Sequence, residues 1–341
     1  MRTRAFVVGT AALAAGVIAI GTGISATGGS AARGATTKTA ANASSRARGA
    51  EAAPAASAQA RVTEGICTGP AAYKALAARL STDIQGALRG REGHHAVTVY
   101  DAVTGVSCAT DSTRHFDSAS IVKAIILGAL LRWHQQAGTP LSSWEKHEAT
   151  LMITQSDNDA ATALWDEVGM SRLQHFLDLA KMNETQLGQD GYWGLTQVTA
   201  HDEMLLLKLL TLPNSVLSNS SRAYQLGLMA DVISAQRWGT PAGAPKDATV
   251  HVKNGWLPDG TPIGWHINSI GAFTGKDKNY MIAVLSDDSP SEEYGIDTVQ
   301  AVARLVHRDL NGPDAKAVLA VSVAPAAREL ASSWAAVPAL P

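Results

Sequence analysis

Apolar residues recur along the chain in two periods, and their order predicts a fold. Tyr73, Leu76, Leu80, Ile84 and Leu88 fall at steps of three and four, one face of an amphipathic helix. His95–Tyr100 alternates like a strand, Asp101–Gly105 has turn chemistry, and Val106–Thr110 reads as a second strand. A long helical region follows over Ser118–Ala137, then helix-like stretches at 143–154, 159–168, 171–181, 199–212 and 219–235. Strand patterning returns at Thr249–Lys253, Trp265–Thr274 and Asn279–Ser286, and a last helix covers Ile296–Asp309. Strands joined by short turns pair antiparallel. The order therefore predicts an α+β fold: a five-stranded antiparallel sheet flanked by the terminal helices, with an all-α lobe inserted between the second and third strands. A cleft between sheet and lobe is where a site is expected.

The pattern breaks at both ends. Met1–Arg4 carries two positive charges, and Ala5–Ala26 then runs 22 residues without one. Residues 1–26 read as a secretory signal peptide, with an N-terminal membrane anchor as the alternative. The Gly, Ala and Thr content of the run favours cleavage. Residues 27–61 lack any bulky apolar side chain and cannot offset the entropy of ordering, so a disordered linker is expected there. Residues 62–312 form the expected domain. Residues 313–341 are an Ala/Pro-rich tail, either a short helix or disordered. This layout puts the protein outside the cell, secreted or held at the envelope.

Charge sharpens the division. The chain holds 28 bases and 30 acids, for a net charge of −2. Residues 1–61 contain seven bases and one acid, which leaves 21 bases against 29 acids for the rest. So acidic a body lacks the electrostatic footprint of a nucleic-acid binder. Two cysteines exclude a disulfide scaffold and a four-cysteine zinc site. Export would permit a Cys67–Cys108 disulfide, which spacing alone does not decide.

Three short motifs carry chemistry. Ser-x-x-Lys occurs twice, as Ser120-Ile-Val-Lys123 and Ser143-Trp-Glu-Lys146. The first opens the apolar helix Ile121–Leu131, so Lys123 lies one turn from the Ser120 hydroxyl, where burial would lower its pKa and make it a base. The second has the sequence of an ordinary helix start and is read as a decoy. Ser156-Asp157-Asn158 follows between two helical segments, and by itself is a good N-cap. Lys253-Asn254-Gly255 ends the Thr249–Lys253 strand, and by itself reads as a turn.

In this order and on these elements, the three motifs resemble the signature of class A β-lactamases and penicillin-binding proteins, the penicillin-recognising serine hydrolases. The resemblance extends over about residues 70–310, including Val97–Gly105, Met152–Asn158 and Asn268–Thr274. It implies Ser120 as acylating nucleophile, Lys123 as its base or proton relay, and Ser156 as the group that passes the proton to the leaving nitrogen. Asn158 would bind the substrate amide, and Lys253 would set positive charge beside a substrate carboxylate. Asn254 would take the place of a carboxylate-binding hydroxyl, and Gly255 would admit the substrate backbone. Backbone N–H groups of Ser120 and Trp256 would form the oxyanion hole. No cofactor and no metal is implied.

Two departures bear on function. Asn254 stands where the family has Thr or Ser. The Glu-x-x-Leu-Asn pattern that deacylates class A enzymes is missing from Met182–Thr196, where Glu184 comes too early and Asp190 is only a weak substitute. His251 and His266 flank the third motif, and a structural role is the default for each. Trp193, Trp256 and Trp265 are candidate cleft residues whose default is core packing. The leading expectation is a secreted serine hydrolase of the class A β-lactamase type, acylated at Ser120 and slow to turn over. The alternatives are a cell-wall D,D-peptidase or esterase inhibited by β-lactams, and a non-catalytic envelope-binding module of the same fold. The expected partner is a β-lactam or peptidoglycan-derived substrate, with contact to the cell wall, acting on a monomer.

Overall fold

The computed structural model describes residues 65–258 and 264–312; the expected leader, linker and tail lie outside them. The strands are β1 (Cys67–Thr68), β2 (His94–Asp101), β3 (Ser107–Thr110), β4 (Phe116–Asp117), β5 (Gln197–Val198), β6 (Thr249–Pro258), β7 (Trp265–Gly275) and β8 (Lys278–Asp287). The helices are α1 (Lys74–Leu88), α2 (Val122–Ala137), α3 (Ser143–Thr150), α4 (Asn158–Val168), α5 (Met170–Ala180), α6 (Ala200–Thr211), α7 (Asn219–Ala230) and α8 (Glu292–Asn311). The main sheet has six strands in the order β1-β3-β2-β8-β7-β6, each pair antiparallel, and β4 and β5 form a separate ribbon. The α+β expectation holds. Its strand count was one short, because the two residues of β1 are too few to show an alternation.

Period-two alternation sends side chains of the central strands into two separate cores. On β8, Met281, Ala283 and Leu285 face the helical lobe, while Tyr280, Ile282 and Val284 face the terminal helices. β7 divides likewise, with Ile270 and Ala272 on the first side and Ile267 and Phe273 on the second. The terminal helices cover that second face: α8 contributes Val299, Val302, Val306 and Leu310, and α1 contributes Leu76, Leu80 and Ile84. A sheet covered on both faces has no wet side, which is why these strands read as nearly unbroken apolar runs.

In the lobe, α2 is buried from Val122 through Leu131 on every side, as a helix apolar all round must be. A left-handed Gly138 ends it. The expected helix over 143–154 is instead α3 followed by a π-helical turn, Leu151–Gln155, that ends at Ser156 in the left-handed region with φ 58°. Cys67 and Cys108 pair directly across β1 and β3 and form a disulfide. Closing a loop of that length contributes about 4 kcal/mol by chain entropy. No helix among the described residues is long and apolar enough to cross a membrane.

Candidate active site

Ser120 sits in a 3-10 turn, Ala119–Ile121, that opens α2. Ala119 has φ 48°, a conformation that costs a residue with a Cβ and persists only where its surroundings hold it. Three elements do so. From β7, the buried Asn268 donates through Nδ2 to the carbonyls of Asp117 and Ser118 at 2.8 and 3.2 Å. From the segment before β5, Thr196 accepts the Ser118 N–H at 2.8 Å, and the Gly194 carbonyl accepts the Ser118 hydroxyl at 3.3 Å. From β6 comes Gly255, where a Cβ would stand 2.7 Å from the Ser120 nitrogen and 2.8 Å from the Ser118 oxygen. Gly255 therefore lets the strand lie against the serine turn, a more immediate reason for glycine than the approach of a substrate.

Lys123, one turn after Ser120, is fully buried. Its Nζ donates to the Ser156 carbonyl and to Asn158 Oδ1, each at 2.7 Å, and lies 3.2 Å from Ser156 Oγ. Burial lowers its pKa to about 7, against a smaller opposing pull from Asp157. Two of these contacts are to oxygens that only accept, so they consume two N–H bonds. The remaining tetrahedral position holds a third proton in the ammonium and a lone pair in the amine. The Trp193 ring lies 4.8 Å from the same nitrogen.

Lys253 reaches the same hydroxyl from the sheet. Its Nζ lies 2.8 Å from Ser156 Oγ and 2.9 Å from the Asn254 carbonyl. Burial and the charge of Lys123 both push its pKa well below the usual lysine value. Thus Lys123 and Lys253 converge on the Ser156 hydroxyl, Asn158 joins them through Lys123, and Ser120 stands one helical turn before Lys123. Ser120 Oγ makes no hydrogen bond of its own among the described residues. The Ser-Asp-Asn motif is also a helix start, since Asp157 caps α4 by accepting from the Ala160 N–H at 2.8 Å.

Asn254 does not join them. β6 continues through the third motif to Pro258, paired with β7 in unbroken register, with Lys253 opposite Ile270 and Asn254 opposite Ser269. Alternation then puts Lys253 and Gly255 on the lobe side and Asn254 behind the sheet. There its Nδ2 donates to the carbonyls of Gln236 and Trp238, both at 2.9 Å. The expected substrate contact is corrected to an anchor for the segment that crosses behind β6. Trp256 borders the cleft, but its ring packs edge-on against Trp238 at 5.8 Å.

The cleft beside Ser120 is a cavity of about 340 Å³. Asn158 lies on its rim, and Tyr192, Trp193, Leu195 and Leu257 form its walls. No carboxylate is among the described residues that line it. Asp190 is exposed, at φ 54°, in the turn before Gly191. Glu184 is turned away, its Oε2 accepting from Thr199 Oγ1 at 2.9 Å. His251 is structural, held by the Leu226 carbonyl and Thr274 Oγ1. His266 faces Asp117 at 3.7 Å, and Trp265 packs with the terminal-helix core. Of the decoy, Ser143 is the first residue of α3, whose cap is Ser142 in a capping box with Glu145. Two His–carboxylate clusters, His94 with Asp287 and Asp288, and Glu184 with His201 and Asp202, have donor atoms close enough for a cation. No member of either lines the cavity.

Residues 143–310 match the model of the beta-lactamase enzyme family, a stretch that holds Ser156 and Lys253 and begins after Ser120. The fold is β-lactamase-like. Among solved structures it resembles the TLA-3 extended-spectrum β-lactamase, at 16% identity and a TM-score of 0.62, over 68% of this chain and 98% of that one. A class A β-lactamase from Bacteroides cellulosilyticus matches at 16% identity and TM-score 0.60, over 68% and 97%. PBP-A matches at 20% identity and TM-score 0.58, over 67% and 94%. At these identities the likeness establishes the fold. No curated protein matches the sequence.

Ser118 and Asn268 were passed over as site residues. Asn268 was visible only as part of a resemblance, and nothing in its neighbours signals that it holds the nucleophile's turn.

Proposed function

We propose that the β-lactamase-like domain is an exported serine hydrolase that is acylated at Ser120 by β-lactams or related amides and esters, and that releases the acyl group slowly. The observation that carries the reading is the Ser156 hydroxyl held between two buried lysines, one of which, Lys123, lies one helical turn after Ser120. A serine hydroxyl is a weak nucleophile until a neighbour takes its proton. Lys123, half neutral near pH 7, takes that proton as Ser120 Oγ bonds to the carbonyl carbon. Ser156, bonded to both amines, delivers a proton to the leaving nitrogen or oxygen as its bond to carbon breaks. The backbone N–H groups of Ser120 and Trp256, brought together by the bare Cα of Gly255, receive the developing oxyanion.

Slow release follows from the walls of the cavity, where no described carboxylate stands ready to activate water. The same absence favours a second reading, a cell-wall D,D-peptidase or esterase that β-lactams inhibit. Mixing the protein with a fluorescent penicillin and a chromogenic cephalosporin tests both. A lasting adduct with slow colour change, both lost in Ser120→Ala, is the expected result. Fast sustained turnover removes the claim of slow release. Absence of any adduct on folded protein overturns the serine-hydrolase reading for β-lactam-shaped ligands.

A further inference from the structure

The cavity's lining specifies more than a reaction class. Among the described residues around Ser120, the apolar side chains that wall the cavity are Tyr192, Trp193, Leu195 and Leu257, and none of the lining residues is charged. Tyr192 and Leu195 are 60% and 46% exposed, so apolar surface waits at the entrance rather than being used up in the core.

The nearby cations are committed elsewhere. Lys123 and Lys253 are buried, bonded to Ser156, Asn158 and the Asn254 carbonyl, and neither lines the cavity. Arg237 donates to the carbonyls of Ala230 and Val250, behind the sheet's free edge. Asn254, at the position where a carboxylate-binding hydroxyl is expected, points out of the cleft. An anionic substrate would also approach a body with 29 acids and 21 bases.

We propose that this site selects uncharged, apolar acyl groups, so that its preferred substrates are carboxylic esters lacking a carboxylate beside the scissile bond. The inference rests on Ser120 being the acylated residue. Ser120 Oγ bonds to the acyl carbon, the C–O bond to the alcohol breaks, and the serine's proton leaves with the alcohol by way of Lys123 and Ser156. Water then hydrolyses the acyl-serine, releasing the carboxylic acid and restoring the hydroxyl. The apolar walls stabilise the acyl chain by removing it from water.

Two matched comparisons with the full chain test the idea. Between p-nitrophenyl acetate and butyrate, kcat/KM should rise about tenfold for the two added methylene groups. A chromogenic cephalosporin esterified at its carboxyl group should acylate Ser120 faster than the free acid. Leu257→Lys, which puts a cation on the rim, should reverse the second preference. Faster reaction of the free acid, or a flat ester series, with both activities abolished in Ser120→Ala, overturns the selectivity and leaves the serine hydrolase standing. Ester and cephalosporin turnover that both survive Ser120→Ala overturn the hydrolase reading itself, and the inference with it.

Discussion

The two faces of the sheet have been given different work, and β6 shows the division within four residues. Lys253 and Gly255 face the lobe, where one amine joins the Ser156 hydroxyl and one missing Cβ admits the serine turn. Asn254 and Trp256 carry side chains to the other face, where they hold Gln236 and Trp238. The front carries polar groups that destabilise the fold, since burying an amine without a carboxylate partner is unfavourable. The back carries the disulfide and the apolar seams of α1 and α8 that stabilise it. Along β6, alternation thus separates the proposed reacting groups from the packing behind the sheet, and the separation is measurable.

The largest effect should come from the front. Lys123→Ala should slow acylation of Ser120 by about 10²- to 10⁴-fold with unchanged circular dichroism. A smaller loss would mean that another group takes the proton. In the wild type, the acylation rate should rise with pH by about tenfold per unit below 7 and level off above it, because only neutral Lys123 accepts a proton. A flat profile over pH 5–8 would break the assignment.

Lys253→Met should lower acylation while raising Tm at neutral pH. Burial and the charge of Lys123 hold the Lys253 pKa well below its unfolded value, so the folded state loses stability as pH falls below about 10. The wild type should therefore gain stability as pH rises toward about 10, and the variant should gain less. A fall in Tm for this variant at pH 7 would place the cost of Lys253 elsewhere.

On the back, Cys67→Ser with Cys108→Ser should cost about 4 kcal/mol of stability, read by denaturant melts, with labelling kinetics unchanged. Asn254→Ala should cost about 1–3 kcal/mol, because two buried carbonyls lose their donor, again without change in KM. A raised KM with intact stability would return Asn254 to the substrate. The smallest effect belongs to Asp190→Asn, which should leave release of the acyl group within about twofold of wild type. A large loss would make that exposed turn acid the missing base.

How much of this was legible beforehand depended on whether an element's extent could be read. Five of the sheet's six strands and α2 announced themselves through alternation or through nearly unbroken apolar runs. The two Ser-x-x-Lys copies differ in plain view, one opening an apolar helix and the other a polar capping sequence. Asn254 was misplaced for one reason. With β6 taken to end at Lys253, the next two residues became a turn, where alternation has no force. Extending the strand to Pro258 settles which way each side chain points. The π-helical turn before Ser156 and the left-handed Ala119 left no mark in composition, being conformations imposed by neighbours distant in sequence.

Gly255 has a consequence for laboratory evolution of this domain. A methyl group there would press on backbone atoms of Ser118, Ser120 and Ile121 together, with no flexible side chain to yield. Random libraries at 255 should therefore return inactive clones whatever the substrate offered. Gains in new specificity should collect at 257, whose side chain borders the cavity, and at 192 and 195 across from it. The chemistry is protected by an atom that is not there, and its adaptability lies two residues further along the same strand.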